Sequence, residues 1–369
     1  MRIAFIARST LYQVHGGITV QVMETARHLR ELGVDVKVHL TDEKINYDEF
    51  DLLHFFDITR PANILYHIER SNKPFVLSPV LIDYSEYDKQ HRRGVSGLIF
   101  RMLSPDSNEY IKAVSKWFLR KDKLQSKSYL WKGHGRSIRD ILKRVAMILP
   151  NSQQEYDQLQ HLYATEKPYA VIPNGIDDKL FQPDHSVSKD ENLVLCAARI
   201  EGIKNQFNLI KAMNNTGFRL LLIGDAAPNQ QGYYQRCREI AAGNVSFLKR
   251  VTQQELKDHY KKAKVHILPS WFETCGLSSL EAGVMGCNIV VTDKGFTRDY
   301  FGEDAFYCDP GNVESISKAV QHAAATISPK RLQAKILDRF TWHQAALHTR
   351  DAYKTLITVS TGQPNRHLN

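Results

Sequence analysis

"NLVLCAARIEGIKNQFNLIKAMNNTGFRLLLIGD", residues 192–225, holds two apolar runs on either side of a segment with a different rhythm. "NLVLCAAR" reads as a strand apolar along most of its length, and "FRLLLIGD" reads as a second. Between them "NQFNLIKAMNNT" reads as a helix. A strand, a helix and a strand in that order make a crossover unit whose strands lie parallel.

The same alternation extends in both directions. Downstream come a helix at "GYYQRCREIAAG", a strand at "NVSFLKR" and a capped helix at "TQQELKDHYKKA". The strand "KVHILPS", the helix "SLEAGVMG" and the strand "NIVVTD" complete that series. Upstream, "RIAFIA" is a strand, and "TVQVMETARHLRELG" carries a helical stripe of Val22, Ala26, Leu29 and Leu32 before Gly33. Strands follow at "VDVKVHL", "FDLLHFF" and "KPFVLSPVLI", the last two split by the helical "ANILYHIERSN". "RVAMILPNS" is another strand, and "QQEYDQLQHLY" another helix. Pro173 and the Asn174-Gly175 pair fall between the two series, which makes an interdomain connection a better reading than a simple tight turn. The final helix, "TWHQAALHTRDAYKTLI", has Thr341 as its N-cap, and the tail "STGQPNRHLN" is polar.

The expected fold class is therefore α/β, with two Rossmann-like domains. The first is residues 1–172 and the second is residues 173–340, followed by a helix and tail at 341–369. At about 150 residues per domain, 369 residues fit this division. Hydrophobic residues make up 43% and charged residues 24%, as in ordinary globular enzymes. No run of eighteen apolar residues occurs, so no spanning helix is expected, and the apolar start of "MRIAFIARST" is too short for a secretory leader. The five cysteines (Cys196, Cys237, Cys275, Cys287 and Cys308) are scattered and lack metal-ligand spacing. Reduced thiols in a cytosolic protein are expected.

In open parallel sheets, ligands bind outside the carboxyl ends of the strands. Arg199 ends the strand "NLVLCAAR" and Lys204 precedes the next helix. Two cations at such a turn suit a diphosphate, the guanidinium binding two oxygens and the ammonium acting as a point charge. The bland alternative is a pair of solvated charges. The stretch "WFETCGLSSLEAG", residues 271–283, sets Glu273 and Glu281 with seven residues between them. The amides of Cys275, Gly276 and Leu277 precede a helix, which makes an anion site.

Three readings of the glutamates compete. An acid–base pair needs carboxyl groups roughly 5–10 Å apart, whereas one continuous helix would set them about 12 Å apart. A capping box would have Glu281 reach back to Ser278. A clamp would let the two carboxylates grip hydroxyls at opposite ends of one ligand, with an anion between; a nucleotide-sugar has that layout. Gly16 and Gly17, after the first strand, read as a turn or as a place where a phosphate approaches the backbone. Neither G-x-G-x-x-G nor a Walker sequence occurs, which disfavours nicotinamide and P-loop chemistry.

The ordered set "GGITVQVMETARHLRELG", "ILPNSQQEY", "VIPNGID", "ARIEGIKN" and "ETCGLSSLE" resembles glycosyltransferase family 4, retaining enzymes of GT-B fold, over nearly the whole chain. The resemblance implies a hexose moved from a UDP- or GDP-sugar to a glycan or lipid-linked acceptor, in cell-surface polysaccharide or glycoconjugate synthesis. No cofactor or metal is implied, and no D-x-D triplet occurs. Glu281 would hold the ribose, and Glu273 the sugar hydroxyls. The amides of Cys275, Gly276 and Leu277 would meet sugar and phosphate. Arg199 and Lys204 would stabilise the departing diphosphate, which Gly16 and Gly17 would border. Lys249, Arg250 and Val251 would flank the base, and the final helix would cross back to the N-terminal domain. One departure stands out: "FVLSPVLIDYSEY", residues 75–87, lacks the histidine that many members carry near the sugar. Asp83 or a backbone group would stand in, with no catalytic role assigned, and His54 in "LLHFFD" reads equally as a buried structural residue. Two other classes remain open: a sugar phosphorylase or nucleotide-sugar hydrolase, and a non-enzymic basic adaptor.

Net charge is +9, and residues 89–144 alone carry fifteen Lys and Arg against four Asp and Glu. The cations interleave with Phe100, Trp117, Phe118, Tyr129 and Trp131, and Tyr110, Val114 and Trp117 share one face of a basic helix. This reads either as a solvated helix packed on the sheet or as a contact for an anionic membrane surface at the inner face of the cell membrane. No nucleic-acid motif accompanies the charge, so no nucleic acid is expected.

Overall fold

The computed structural model describes residues 1–13, 16–91, 104–119, 124–184, 186–327 and 330–360. Part of the basic segment, with Phe100, and the polar tail from 361 lie outside the described residues. The chain forms two compact units. The first comprises residues 1–81, 88–173 and 342–369, and the second residues 82–87 and 174–341.

The first unit is built on a parallel sheet of β1 (Arg2–Ala7), β2 (Asp35–Leu40), β3 (Leu52–Phe56), β4 (Phe75–Ser78) and β5 (Met147–Ile148), in the order β2-β1-β3-β4-β5. β3 is buried along its whole length, as expected of a parallel strand covered on both faces. Helix Gly17–Glu31 buries Val22, Ala26 and Leu29, and Gly33 follows it with a φ of +79° that suits glycine. "RVAMILPNS" pairs with β4 over only two residues, Met147 and Ile148. Helix Trp342–Ser360 packs on helix Gly17–Glu31. From it the Tyr353 hydroxyl meets His54 Nδ1 at 2.6 Å, while Ser78 Oγ lies 2.9 Å from Nε2. With both ring nitrogens partnered and burial lowering its pKa to about 3, His54 is a neutral structural residue.

The second unit contains β6 (Asp190–Ala197), β7 (Arg219–Ile223), β8 (Val245–Leu248), β9 (Ala263–Leu268), β10 (Asn288–Thr292) and β11 (Phe306–Cys308). They form one parallel sheet in the order β11-β10-β9-β6-β7-β8. The chain steps outward from β6 to β8, returns to the other side of β6, and steps outward again from β9 to β11. The order therefore reverses between β6 and β9, where Val194 pairs with Val265 and Leu195 with His266. Thr252 and Glu255 complete a reciprocal capping box on helix Gln253–Lys262.

The expectation that residues 1–172 form a single block needs one correction. Residues 82–87 associate with the second unit, through local contacts described below. Asn174 and Gly175 adopt no left-handed turn. Asn174 is buried; its N–H donates to the Tyr300 hydroxyl (3.1 Å) and its side-chain amide to the Cys275 thiol (3.7 Å).

Candidate functional site

All six strands of the second sheet point the same way, so the loops after β6 and β9 emerge side by side at the reversal. Such a point leaves a crevice, because the two connecting helices diverge to opposite faces of the sheet. The turn after β6 carries Arg199, Glu201 and Lys204; the turn after β9 carries Ser270, Glu273 and Gly276.

Lys204 Nζ lies 2.5 Å from Glu273 Oε1, which also accepts from Ser270 Oγ at 2.6 Å. The Glu273 side chain is only 8% exposed. Burial alone would pull the Lys204 amine down, but the Glu273 carboxylate outweighs it and holds the amine above the usual lysine range. Arg199 Nη2 bonds Glu201 at 2.8 Å, and the Arg199 carbonyl accepts from Gln206 Nε2 at 2.9 Å. Neither cation is a solvated surface charge without a partner. Each is already oriented by a carboxylate.

Gly276 is the N-cap of helix Leu277–Val284 and has a φ of +70°, which glycine adopts at little cost. No side chain caps this end. Among the described residues, no acceptor takes the amides of Cys275, Gly276 or Leu277. The helix start is therefore an anion site in form. Cys275 is buried, and its thiol is pushed up to about 12 by burial, so it remains a neutral sulfur in the wall of the turn. His266 of β9, buried and lowered to about 3, contacts Ser279 Oγ at 3.3 Å and joins strand to helix.

The alternative reading of Ser278 and Glu281 as a capping box is not realised. The cap is Gly276, two residues earlier, so Ser278 already lies inside the helix. Glu281 turns instead to the Tyr260 hydroxyl, which donates to its Oε2 at 3.2 Å. Burial pushes the Glu281 carboxyl up to about 7, against the lowering effect of that bond. Glu273 and Glu281 thus have separate partners, Lys204 for one and Tyr260 for the other.

Arg250 and Val251 follow β8, two strands away from β6. The Arg250 amide donates to Asp225 at 3.3 Å, the Arg250 and Lys249 side chains are exposed, and Val251 packs on the core. Gly16 and Gly17 belong to the first unit, where Gly16 is the extended N-cap of helix Gly17–Glu31. Among the described residues no three His, Cys, Asp or Glu side chains gather to hold a metal ion.

Two glycines that the sequence did not single out set the backbone of the site. A Cβ on Gly295 would lie 2.0 Å from the Glu273 carbonyl oxygen, at a φ of +95°. A Cβ on Gly224 would lie 2.1 Å from the Ala198 carbonyl oxygen, next to Arg199. Each follows a strand neighbouring β9 or β6, and the only signal in the sequence was a glycine just past an apolar run. Gly295→Ala is expected to destabilise the fold by about 2–4 kcal/mol in urea denaturation, from strain plus displacement of the 273 peptide. An unchanged midpoint would show that the Glu273 turn is not held this way.

Residues 177–333, almost all of the second unit, match the Glycosyl transferases group 1 family. This unit is thus a group 1 glycosyl transferase domain. The two parallel-sheet units together have the GT-B fold. The sucrose-phosphate synthase of Thermosynechococcus elongatus superposes with a TM-score of 0.74 at 17% identity, over 97% of this chain and all of that one. HepE of Anabaena, solved with UDP and glucose, superposes with a TM-score of 0.68 at 16% identity, over 96% of this chain and all of that one. In sequence, the glycogen synthase of Fusobacterium nucleatum is 21% identical over 266 residues, which is 68% of this chain and 55% of that protein. The chain thus spans little more than half the length of this curated relative.

Proposed function

We propose that the protein is a retaining hexosyltransferase that uses a UDP- or GDP-sugar, in the manner of glycosyltransferase family 4. The observation that carries this reading is the Lys204–Glu273 pair, set beside the open helix start at Gly276 at the carboxyl ends of the neighbouring strands β6 and β9. Within a group 1 glycosyl transferase domain, that constellation suits a sugar diphosphate, and HepE, a structure of like fold, was solved with UDP and glucose.

In this reading the amides of Cys275, Gly276 and Leu277 and the cations Lys204 and Arg199 face the diphosphate. They stabilise the charge that builds as the bond from the anomeric carbon to the phosphate oxygen breaks. The acceptor hydroxyl forms the new bond on the same face and passes its proton to the departing phosphate oxygen. Glu273 orients Lys204 and accepts from a sugar hydroxyl, and Glu281 holds the ribose. Positive charge from the chain itself takes the part a metal ion plays elsewhere, so turnover is expected to survive a chelator.

The test is a thermal-shift screen with UDP, GDP and their common sugars, followed by product analysis with and without acceptors. Absence of stabilisation by every nucleotide and nucleotide-sugar would overturn the proposal.

The acceptor is proposed to be a glycan or a lipid-linked sugar, met at the cytoplasmic face of a membrane. Trp117, Phe118, Leu119 and Trp131 of the basic segment are exposed, Phe118 and Trp131 by more than four-fifths. Lys112 is engaged by Asp88 and Glu109, and Lys132 by Asp140, so the aromatic residues are the better contact. No described helix is long and apolar enough to cross a membrane. The double change Phe118→Ala and Trp131→Ala is expected to weaken co-sedimentation with phosphatidylglycerol vesicles by roughly tenfold or more. Equal sedimentation of variant and parent would remove the membrane from the proposal.

A further inference from the structure

The segment Ile82–Tyr87 follows β4 in sequence but belongs to the second unit. It is held on both walls of the candidate site. On the β6 side, the Tyr87 hydroxyl lies so near Gly202 that a Cβ there would come within 1.9 Å of it. On the β9 side, the Tyr87 ring faces Trp271 at 6.3 Å, and Glu86 pairs with Lys294 at 3.2 Å. Lys294 is the residue whose carbonyl accepts from the Glu273 amide. The segment is therefore a strap anchored at its Glu86–Tyr87 end to the turns that carry Lys204 and Glu273.

Tyr84 sits on this strap within electrostatic reach of Lys204, Glu201, Glu273 and Arg199. Among the described residues its hydroxyl has no hydrogen-bond partner. About a third of the residue's surface stays open to solvent, while its surroundings push the phenol up to about 12, chiefly by burial. It is thus a neutral donor at neutral pH, beside a cation–carboxylate pair, with its hydrogen bond unused. A phenol so placed can donate to a phosphate or sugar oxygen without adding charge.

We propose that Tyr84 is a further recognition residue of this site, donating its hydroxyl to an oxygen of the transferred sugar of the bound donor rather than to the nucleoside diphosphate. The inference rests on the function proposed above and names the side chain that separates a nucleotide-sugar from the bare nucleoside diphosphate. Tyr84→Phe keeps the ring and removes only the donor.

The experiment titrates wild type and Tyr84→Phe with UDP, UDP-glucose, GDP and GDP-mannose by calorimetry, after equal melting temperatures show both to be folded. The expected result is about tenfold weaker binding of the preferred nucleotide-sugar by the variant, with its nucleoside diphosphate bound as before. Equal weakening of both ligands, or of neither, overturns the role of Tyr84 and leaves the donor site standing. If wild type binds none of the four, the donor reading falls and this inference with it.

Discussion

Lys204→Ala is expected to slow release of nucleoside diphosphate from the bound donor by about 10²–10³-fold, the usual cost of removing one group that stabilises a leaving oxyanion. The same change leaves the buried Glu273 carboxylate with Ser270 as its remaining partner. Breaking one side of a buried ion pair costs about 3 kcal/mol, so the variant should also melt earlier. Glu273→Gln keeps the shape and removes the charge, and is expected to be milder in stability. Because the two side chains touch, the double variant should fall well short of the summed single effects. Initial rates and urea midpoints for the four proteins make the cycle. Turnover by Lys204→Ala at the parent rate would end the assignment of this pair to the reaction.

Glu281→Gln is expected to weaken nucleotide binding by about 10²-fold at pH 8, as for loss of a charge-assisted hydrogen-bonding partner, and to stabilise the unliganded protein. Both effects come from one carboxyl. Burial pushes it up to about 7, so it is about half protonated at pH 7 in the folded protein. The folded chain therefore holds a proton that the unfolded chain releases between its ordinary value near 4.5 and 7. This contribution lowers stability as pH rises through that window. Removing the ionisable group should return about 2–3 kcal/mol at pH 8. A ribose diol donates hydrogen bonds, so it favours the ionised form. Nucleotide affinity of the parent should then be full above about pH 8 and fall by up to tenfold per unit below 7. The glutamine variant, which isolates any titration of the ligand's phosphates, should lack this component. Calorimetric titration at pH 6, 7 and 8 measures both. Equal affinity of parent and variant would show that Glu281 does not touch the nucleotide.

Much of the fold was legible because parallel strands covered on both faces are apolar without interruption. "FRLLLIGD" and "NIVVTD" announce themselves wherever they pack. β11 at Phe306–Cys308 is too short to carry such a pattern, and the linear reading gives no strand there. Helix Ser128–Arg144 was hidden by its glycines, one of which, Gly133, has a φ of +72° inside it. Tyr84 and Tyr87 looked like the place where a family histidine was missing. Nothing in a linear reading says that the strap joins the other unit.

The same limit applies to the site. The chain alone determined that Arg199 and Lys204 follow one buried strand and that Glu273 and Gly276 follow another, since residue type and local period decide where strands stop. It also placed a helix start with open backbone donors near Gly276, because such donors at a helix end are a local property. Only the tertiary structure decided that β6 and β9, with two other strands between them in the chain, are neighbours, so that Lys204 and Glu273 meet. It likewise decided that the cap falls on Gly276 rather than Ser278, freeing Glu281 for Tyr260. Strand order is set by how helices divide between the two faces of a sheet, and that choice is made by the packing of the whole unit.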